Sequence, residues 1–180
     1  MQWKIDPSHS AVEFGVRHLG FANVRGHFRT FEGFVETDNI NIPVYAEARI
    51  TTVSVDTNEP RRDEHLRSAE GLDATNHPEI LFRSTAITAG TPNDTDLLHY
   101  EIDGELTIRG VTKPVHFKAS VTSPLTDHNG ATRVAAEVAG VIKRAEWGIE
   151  FSHNPLVNNA LLIGEEVYFN FHLQTLQQGD

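Results

Sequence analysis

The chain contains no cysteine, which excludes a disulfide scaffold, a thiolate metal centre and a cysteine nucleophile. It is poor in positive charge: 15 Lys and Arg stand against 25 Asp and Glu, a formal net charge of −10, and no long basic run occurs. The electrostatic footprint of a nucleic-acid or anionic-membrane binder is therefore missing. No window approaches the roughly 20 apolar residues that a membrane span needs. The opening residues Met1 to Pro7 offer neither an apolar h-region nor a small-residue cleavage site, so no secretory signal is read and a cytoplasmic location is expected. Neither a Gly-x-Ser-x-Gly elbow nor a phosphate-cradling glycine loop is found.

Alternation of apolar and polar residues is abundant. From Leu98 to Arg109, Leu98, Tyr100, Ile102, Gly104, Leu106 and Ile108 fall on one face, and His99, Glu101, Asp103, Glu105, Thr107 and Arg109 on the other. Strict period 2 of this kind predicts a strand with one dry and one wet face. Val115 to Val121 and Val167 to Leu173 repeat it, and weaker copies run over Val12–His18, Val24–Phe28, Val44–Ile50, Ile80–Ala86 and Val134–Ile142. The Val24 strand is expected to continue through Phe31 and Val35, with a bulge near Arg29–Thr30 where the apolar parity switches. Asn93-Asp94, Arg109-Gly110 and Asp127-His128-Asn129-Gly130 carry turn chemistry between strands.

Residues 54–78 break the pattern. Asp56-Thr57-Asn58 before Pro60 reads as a helix entry, and Arg61 to Ser68 gives about two turns, with Leu66 as the apolar anchor. The mixed charges Arg61, Arg62, Asp63, Glu64 and Arg67 read as a solvated face with weak ion pairs, or alternatively as a flap over a barrel mouth. No repeat or linker divides residues 1–180, which read as one domain with a frayed tail at about 176–180.

Each strand has a single apolar face and no helical cover, so the sheet must fold upon itself. The expected fold is all-β: a single antiparallel, roughly eight-stranded barrel with one short helix. A barrel of that size either fills with side chains or holds one small ligand. Its inward set mixes large residues (Phe14, Phe28, Phe82, Tyr100, Phe117, Phe169, Phe171) with small ones (Gly26, Ala46, Ala48, Gly104, Ala119, Ala136, Gly140). Either interior is compatible with that mixture.

Chemistry-bearing residues are sparse on the inner faces. His18 ends an apolar stripe, as a hydrogen-bonded structural histidine or as a polar anchor for a ligand head group. Tyr100 is the other inward polar candidate. His99, His116 and His172 fall on outward faces without His-x-His or His-Glu-x-x-His spacing, so no metal site is read. Glu101, Asp103 and Glu105 line one solvated face, whereas a working acid–base pair needs two distinct environments. No catalytic residue is assigned. Arg144 and Glu146 beside Trp147-Gly148 read as a pinned turn, with Trp147 either capping the core or touching a ligand.

Several ordered segments together resemble the YceI-like polyisoprenoid-binding family. They are Trp3-Lys4-Ile5-Asp6-Pro7-Ser8-His9-Ser10, Phe14-Gly15-Val16-Arg17-His18, Val24-Arg25-Gly26-His27-Phe28, Ser54-Val55-Asp56-Thr57, Arg62 to Ser68, and His77-Pro78-Glu79-Ile80. Gly104 to Val115 resembles the family's hairpin, and Arg144 to Ile149 its late arginine–acid–aromatic–glycine turn. The resemblance spans about residues 3–174. It implies a lipocalin-like barrel holding a long isoprenoid chain, such as that of a polyprenyl lipid or an isoprenoid quinone, as its ligand, with no other cofactor. It also implies homodimerisation through the barrel sides. Two departures stand out: Gly71 in Glu70-Gly71-Leu72-Asp73 replaces an aromatic common in the family and would loosen a pocket rim, and many relatives are exported.

The expected function is thus non-catalytic binding, sequestration or transport of a hydrophobic isoprenoid lipid. Phe14, Val16, His18, Phe28, Phe82, Tyr100, Ile102, Leu106, Phe117, Trp147, Phe169 and Phe171 are the expected contacts. The alternatives are a filled barrel that works through its surface, and an enzyme built around an inward acid–base pair.

Overall fold

The alternation read from the sequence becomes a closed antiparallel barrel in the computed structural model, which describes residues 1–91, 95–151, 156–157 and 160–178. The strands are β1 (Gln2–Ile5), β2 (Ala11–His18), β3 (Ala22–Phe28), β4 (Phe31–Thr37), β5 (Pro43–Thr51), β6 (Val55–Asp56), β7 (Glu79–Ala89), β8 (Leu98–Ile108), β9 (Val111–Val121), β10 (Leu125–Thr126), β11 (Thr132–Lys143), β12 (Leu156–Val157), β13 (Ala160–Leu161) and β14 (Ile163–Gln177). Helix α1 covers Pro60–Arg67. Around the ring the order is β11, β9, β8, β7, β5, β4, β1 and β14, and the pairing of β14 with β11 closes it at eight strands. Beyond β14 the sheet continues through β2, β3 and β6.

One strand carries this closure. β14 pairs along one edge with Arg133–Lys143 of β11, while its other edge is shared, with Ile163 to His172 against β2 and Thr175 to Gln177 against β1. Its end is therefore not frayed at 176–177: Leu176 and Gln177 are paired, and the Gln178 N–H donates to the Gln2 carbonyl.

Two register expectations change. Phe28 and Phe31 do not flank a bulge in one strand; Phe28 faces Val12 and Val55, whereas Phe31 faces Ile50, because the chain leaves one pair of neighbours for another at Arg29–Thr30. Both rings are buried, which is why the apolar parity has to switch there. In β7 the register shifts between Ser84 and Ala86, so Ile87 rather than Ala86 continues the inner face, and Ala86 is exposed. Val44 is likewise exposed rather than inward.

The turns follow their chemistry. Arg109 and Gly110, both with positive φ, form the two-residue connection of β8 and β9. The Asp127 carboxylate accepts from the N–H groups of Asn129 and Ala131. The turn read at Asn93-Asp94 lies outside the described residues.

α1 starts one residue earlier than its sequence suggests, with Pro60 in the first turn and the Glu59 carboxylate accepting from the Arg61 and Arg62 N–H groups. Arg61 and Arg62 are exposed, as expected of a solvated face, but Arg62 and Arg67 bind uncharged oxygens rather than forming ion pairs. Arg67 donates to the carbonyls of Val53 (2.8 Å) and Val55 (2.6 Å), and Arg62 to Thr57 Oγ1 (2.7 Å) and the Thr57 carbonyl (2.9 Å). The buried Asp63 accepts from the Thr57 N–H and hydroxyl. After the helix, the Leu72 N–H donates to the Leu66 carbonyl at 2.7 Å, and Arg109 donates to the carbonyls of Ala69 and Gly71. Nor does Gly71 loosen a rim. A Cβ there would overlap the Leu66 carbonyl, so glycine lets residues 69–72 lie directly on the helix and bury Leu72.

Two predictions follow from these contacts. Gly71→Ala forces that segment off α1 and is expected to cost about 1–3 kcal/mol in chemical denaturation, as overpacking does. The second concerns Asp6, whose carboxylate lies well below the usual range because it accepts from Ser8, Arg133 (2.8 Å) and His9. A depressed carboxylate stabilises the fold above its unfolded pKa and loses that contribution as pH falls. Asp6→Asn is therefore expected to lower Tm by about 2–4 °C at neutral pH, with the gap to wild type narrowing in melts below about pH 4.

Candidate functional site

The barrel is hollow. A cavity of about 1030 Å³ runs through it, at the upper end of what ligand pockets occupy. Its walls are the inner faces of the strands, and small residues there, among them Ala46, Ala48, Ala119 and Ala136, leave the lumen free.

The aromatic residues stay against the wall through glycine. Phe14 lies opposite Gly26 on β3, Phe117 opposite Gly140 on β11, and Phe82 diagonal to Gly104 on β8. A Cβ on any of these glycines would overlap the facing ring. The rings also touch one another: Phe82 to Phe117 at 5.4 Å, Phe117 to Phe171 at 6.3 Å, Phe171 to Phe169 at 5.6 Å, and Phe14 to Phe28 at 5.5 Å between centroids. Tilted and edge-on contacts at these separations are the favourable ones. The large–small mixture in the sequence is thus a set of rings laid over glycines.

Eleven of the twelve residues expected as contacts line this cavity: Phe14, Val16, His18, Phe28, Phe82, Tyr100, Ile102, Leu106, Phe117, Phe169 and Phe171. Trp147 does not. It is 1% exposed behind the wall, and its Nε1–H donates to the Leu106 carbonyl at 3.1 Å, so it caps the core. The turn before it is pinned by Arg144, which is 6% exposed and donates to the carbonyls of Gly164 (2.9 Å), Ile149 and Ile163. Its guanidinium lies 5.4 Å over the Phe151 ring, and burial pulls its pKa down. Sequence reasoning assigned Arg144 to the turn and missed that it also lines the cavity.

The two ends of the cavity differ. At one, α1 presents Arg61, Arg62, His65 and Leu66 toward the lumen from a single helical face, beside His18, Arg144, Ile149 and Phe151. At the other, Ile40 and Ile42 of the β4–β5 turn line the opening with Leu98 and Pro124, and Ile40 is 74% exposed. Asp38 fixes that turn by accepting from the N–H groups of Ile40 and Ile42, both at 2.9 Å. Tyr100 sits near this mouth, where burial and the Asp38 charge raise its phenol pKa. The sequence signal missed here was the pair of isoleucines inside a turn, where apolar residues are out of place.

Among the described residues, no group of three or more His, Asp and Glu is arranged to hold a metal. His116 sits on the outer face between Asp103 and Glu101, each 2.7 Å away, and these carboxylates raise its pKa. No helix among the described residues is long and apolar enough to cross a membrane.

Arg144 is the least replaceable charged side chain of the site. Arg144→Lys keeps the charge but cannot reach carbonyls on two separate segments, and is expected to cost about 1.5–3 kcal/mol in urea unfolding.

Comparison with known proteins agrees with this architecture. The model of the YceI-like domain matches residues 3–175. Protein YceI of Shigella flexneri is 37% identical over 165 residues, covering 89% of this chain and 83% of that protein. A UPF0312 protein of Pectobacterium carotovorum is 36% identical over 166 residues, covering 90% and 83%. Among solved structures, Burkholderia cenocepacia BcnA is similar with a TM-score of 0.77 at 21% identity, over 94% of this chain and 98% of that one. A polyisoprenoid binding domain from Saccharophagus degradans, implicated in plant cell wall breakdown, gives 0.74 at 17% identity, over 98% of both chains. On sequence match and barrel alike, the chain belongs to the YceI-like family.

Proposed function

We propose that this protein binds a long-chain isoprenoid lipid, a polyprenyl lipid or an isoprenoid quinone, inside the barrel and carries or sequesters it without chemical change. The observation that carries the reading is the continuous apolar lumen of about 1030 Å³, open at a mouth of isoleucine and leucine. Each buried CH₂ contributes about 0.8 kcal/mol, so an extended chain gains affinity along its whole length without strong polar contacts. The similarity in fold to a domain described as polyisoprenoid binding supports the same choice of ligand.

A non-catalytic role is favoured by where the polar groups stand. His18 and Tyr100, the two inward candidates for acid–base work, lie toward opposite ends of the lumen and share no hydrogen bond among the described residues. Catalysis by a proton-transfer pair needs groups within hydrogen-bond reach of one reacting centre.

The test is solvent extraction of the purified native protein with mass spectrometry of the extract, beside the intact native mass. About one isoprenoid lipid per protomer is expected. Val138→Trp, which projects an indole into the lumen from β11, is expected to fold and lose that lipid. An empty extract, with no uptake of added polyprenol or quinone by the wild type, would overturn the reading and favour a barrel acting through its surface. Native mass in the same experiment tests whether the protomers pair, as the family resemblance suggests.

A further inference from the structure

The cavity opens at the end of the barrel away from α1, and aliphatic side chains gather around that opening. Its rim is built from the β4–β5 turn, the residues entering β8 and the segment running from β9 into β10. Ile40, Ile42 and Leu98 belong both to the cavity lining and to the exposed surface, so the apolar wall of the lumen runs out onto the outside of the protein. Val44, Leu97 and Leu125 extend it; all three are exposed without lining the cavity, Val44 at 55% and Leu125 at 67%. Single exposed aliphatic residues are ordinary, but a group of them around one opening marks an interaction surface. Nor do the isoleucines reach water through a loose turn, since the Asp38 carboxylate holds the N–H groups of both.

Charge selects the occupant. Residues 38–42, 95–98 and 122–131 contain no Lys or Arg. The Met1 ammonium and Arg133, at the same end of the barrel, are bonded to the Thr37 carbonyl and to Asp6 and Asp127. Asp38 is engaged by its own turn and Asp127 by Arg133 and two N–H groups, while Asp96 and His128 are exposed. Such a rim gains nothing from an anionic bilayer, which attracts basic side chains. It suits a zwitterionic headgroup layer, which takes up aliphatic side chains where there is little charge to desolvate. A folded protein seated on the rim would stopper the tube. A bilayer covers the rim and still opens onto the lumen, so an apolar chain passes between acyl layer and barrel without crossing water.

We infer that the mouth is a membrane-docking surface: Ile40, Ile42, Val44, Leu97, Leu98 and Leu125 seat in the headgroup layer of a zwitterionic phospholipid bilayer, with α1 at the far end, and the lumen exchanges its lipid through that contact. The loading role rests on the isoprenoid reading, and the docking is tested separately from it.

Docking is measured by flotation with phosphatidylcholine vesicles that hold no isoprenoid lipid, and cargo binding by uptake of a polyprenol added from ethanol without vesicles. Wild type is expected to float with phosphatidylcholine and to bind roughly threefold less when about a third of the lipid is phosphatidylglycerol at low salt. Leu125→Glu and Val44→Glu, both outside the lumen, are each expected to weaken vesicle binding at least about tenfold and to leave polyprenol uptake unchanged, which also shows that they fold. Val141→Glu, at an exposed aliphatic on the barrel wall, is expected to change neither. Polyprenol uptake by a wild type that does not float overturns the docking and leaves the lipid reading standing. Flotation lost in the two rim variants, with no polyprenol uptake by wild type, keeps the docking surface and overturns the lipid reading. An equal loss in Val141→Glu overturns the assignment to the mouth. A native-mass dimer that Leu125→Glu dissolves, without flotation of wild type, assigns the rim to a second copy of the chain and overturns the bilayer.

Discussion

The lumen stays open because three aromatic rings pack against three glycines on neighbouring strands. Phe14 over Gly26, Phe117 over Gly140 and Phe82 over Gly104 occupy space that a Cβ would claim. The rings are thereby held along the wall and the centre stays open. A side chain at any of the three glycines would push its ring toward the axis, where the facing wall carries more aromatic rings. The glycines give up backbone stability for this, since they rank among the poorest strand residues. What they secure is a tube rather than a filled core.

The tube is asymmetric in how its ends are held. Around α1, arginines are used as staples: Arg62, Arg67, Arg109 and Arg144 all donate to main-chain carbonyls, Arg62 within its own helix entry and the other three between segments 12 to 40 residues apart. Carbonyls in a loop-rich cap would otherwise be desolvated without partners, and one guanidinium can serve several of them. The opposite mouth is built from a short turn tied by a single carboxylate, with isoleucines facing both lumen and water. One end is therefore cationic and tied down, and the other is apolar and open.

Much of the fold was legible because alternation is a local signal. Leu98 to Ile108 reads as a strand from its side chains alone, and the need to bury one face of every strand leads to closure. The inner-face residues followed for the same reason, and eleven of the twelve expected contacts reach the lumen. What could not be read depends on pairing. Ala86 leaves the inner face because of a register shift that no residue in its own strand announces. Phe28 and Phe31 are both buried at a corner between two sets of neighbours, which in sequence resembles a bulge. Whether the large–small mixture meant a filled or a hollow interior turned on which glycine faces which ring. Arg62 and Arg67 looked like surface charge because their partners are carbonyls, and carbonyls are invisible to residue type. Trp147 could be placed at the end of the core but not on one side of the wall, since that depends on the Leu106 carbonyl it reaches.

The shared edge of β14 bears on how the molecule comes to be folded. This strand, at residues 163–177, pairs with β1, β2 and β11, so two of its partners precede it by well over a hundred positions in the chain. Until it is in place the ring is an open sheet with two free edges and its aromatic face in water. Contacts of such sequence separation close late and slowly, because the entropy of the long loop must be overcome before the pairing stabilises anything. A chain emerging from the ribosome thus has no lumen until β14 arrives, and that interval is when its exposed apolar face is open to aggregation or to protection by a chaperone.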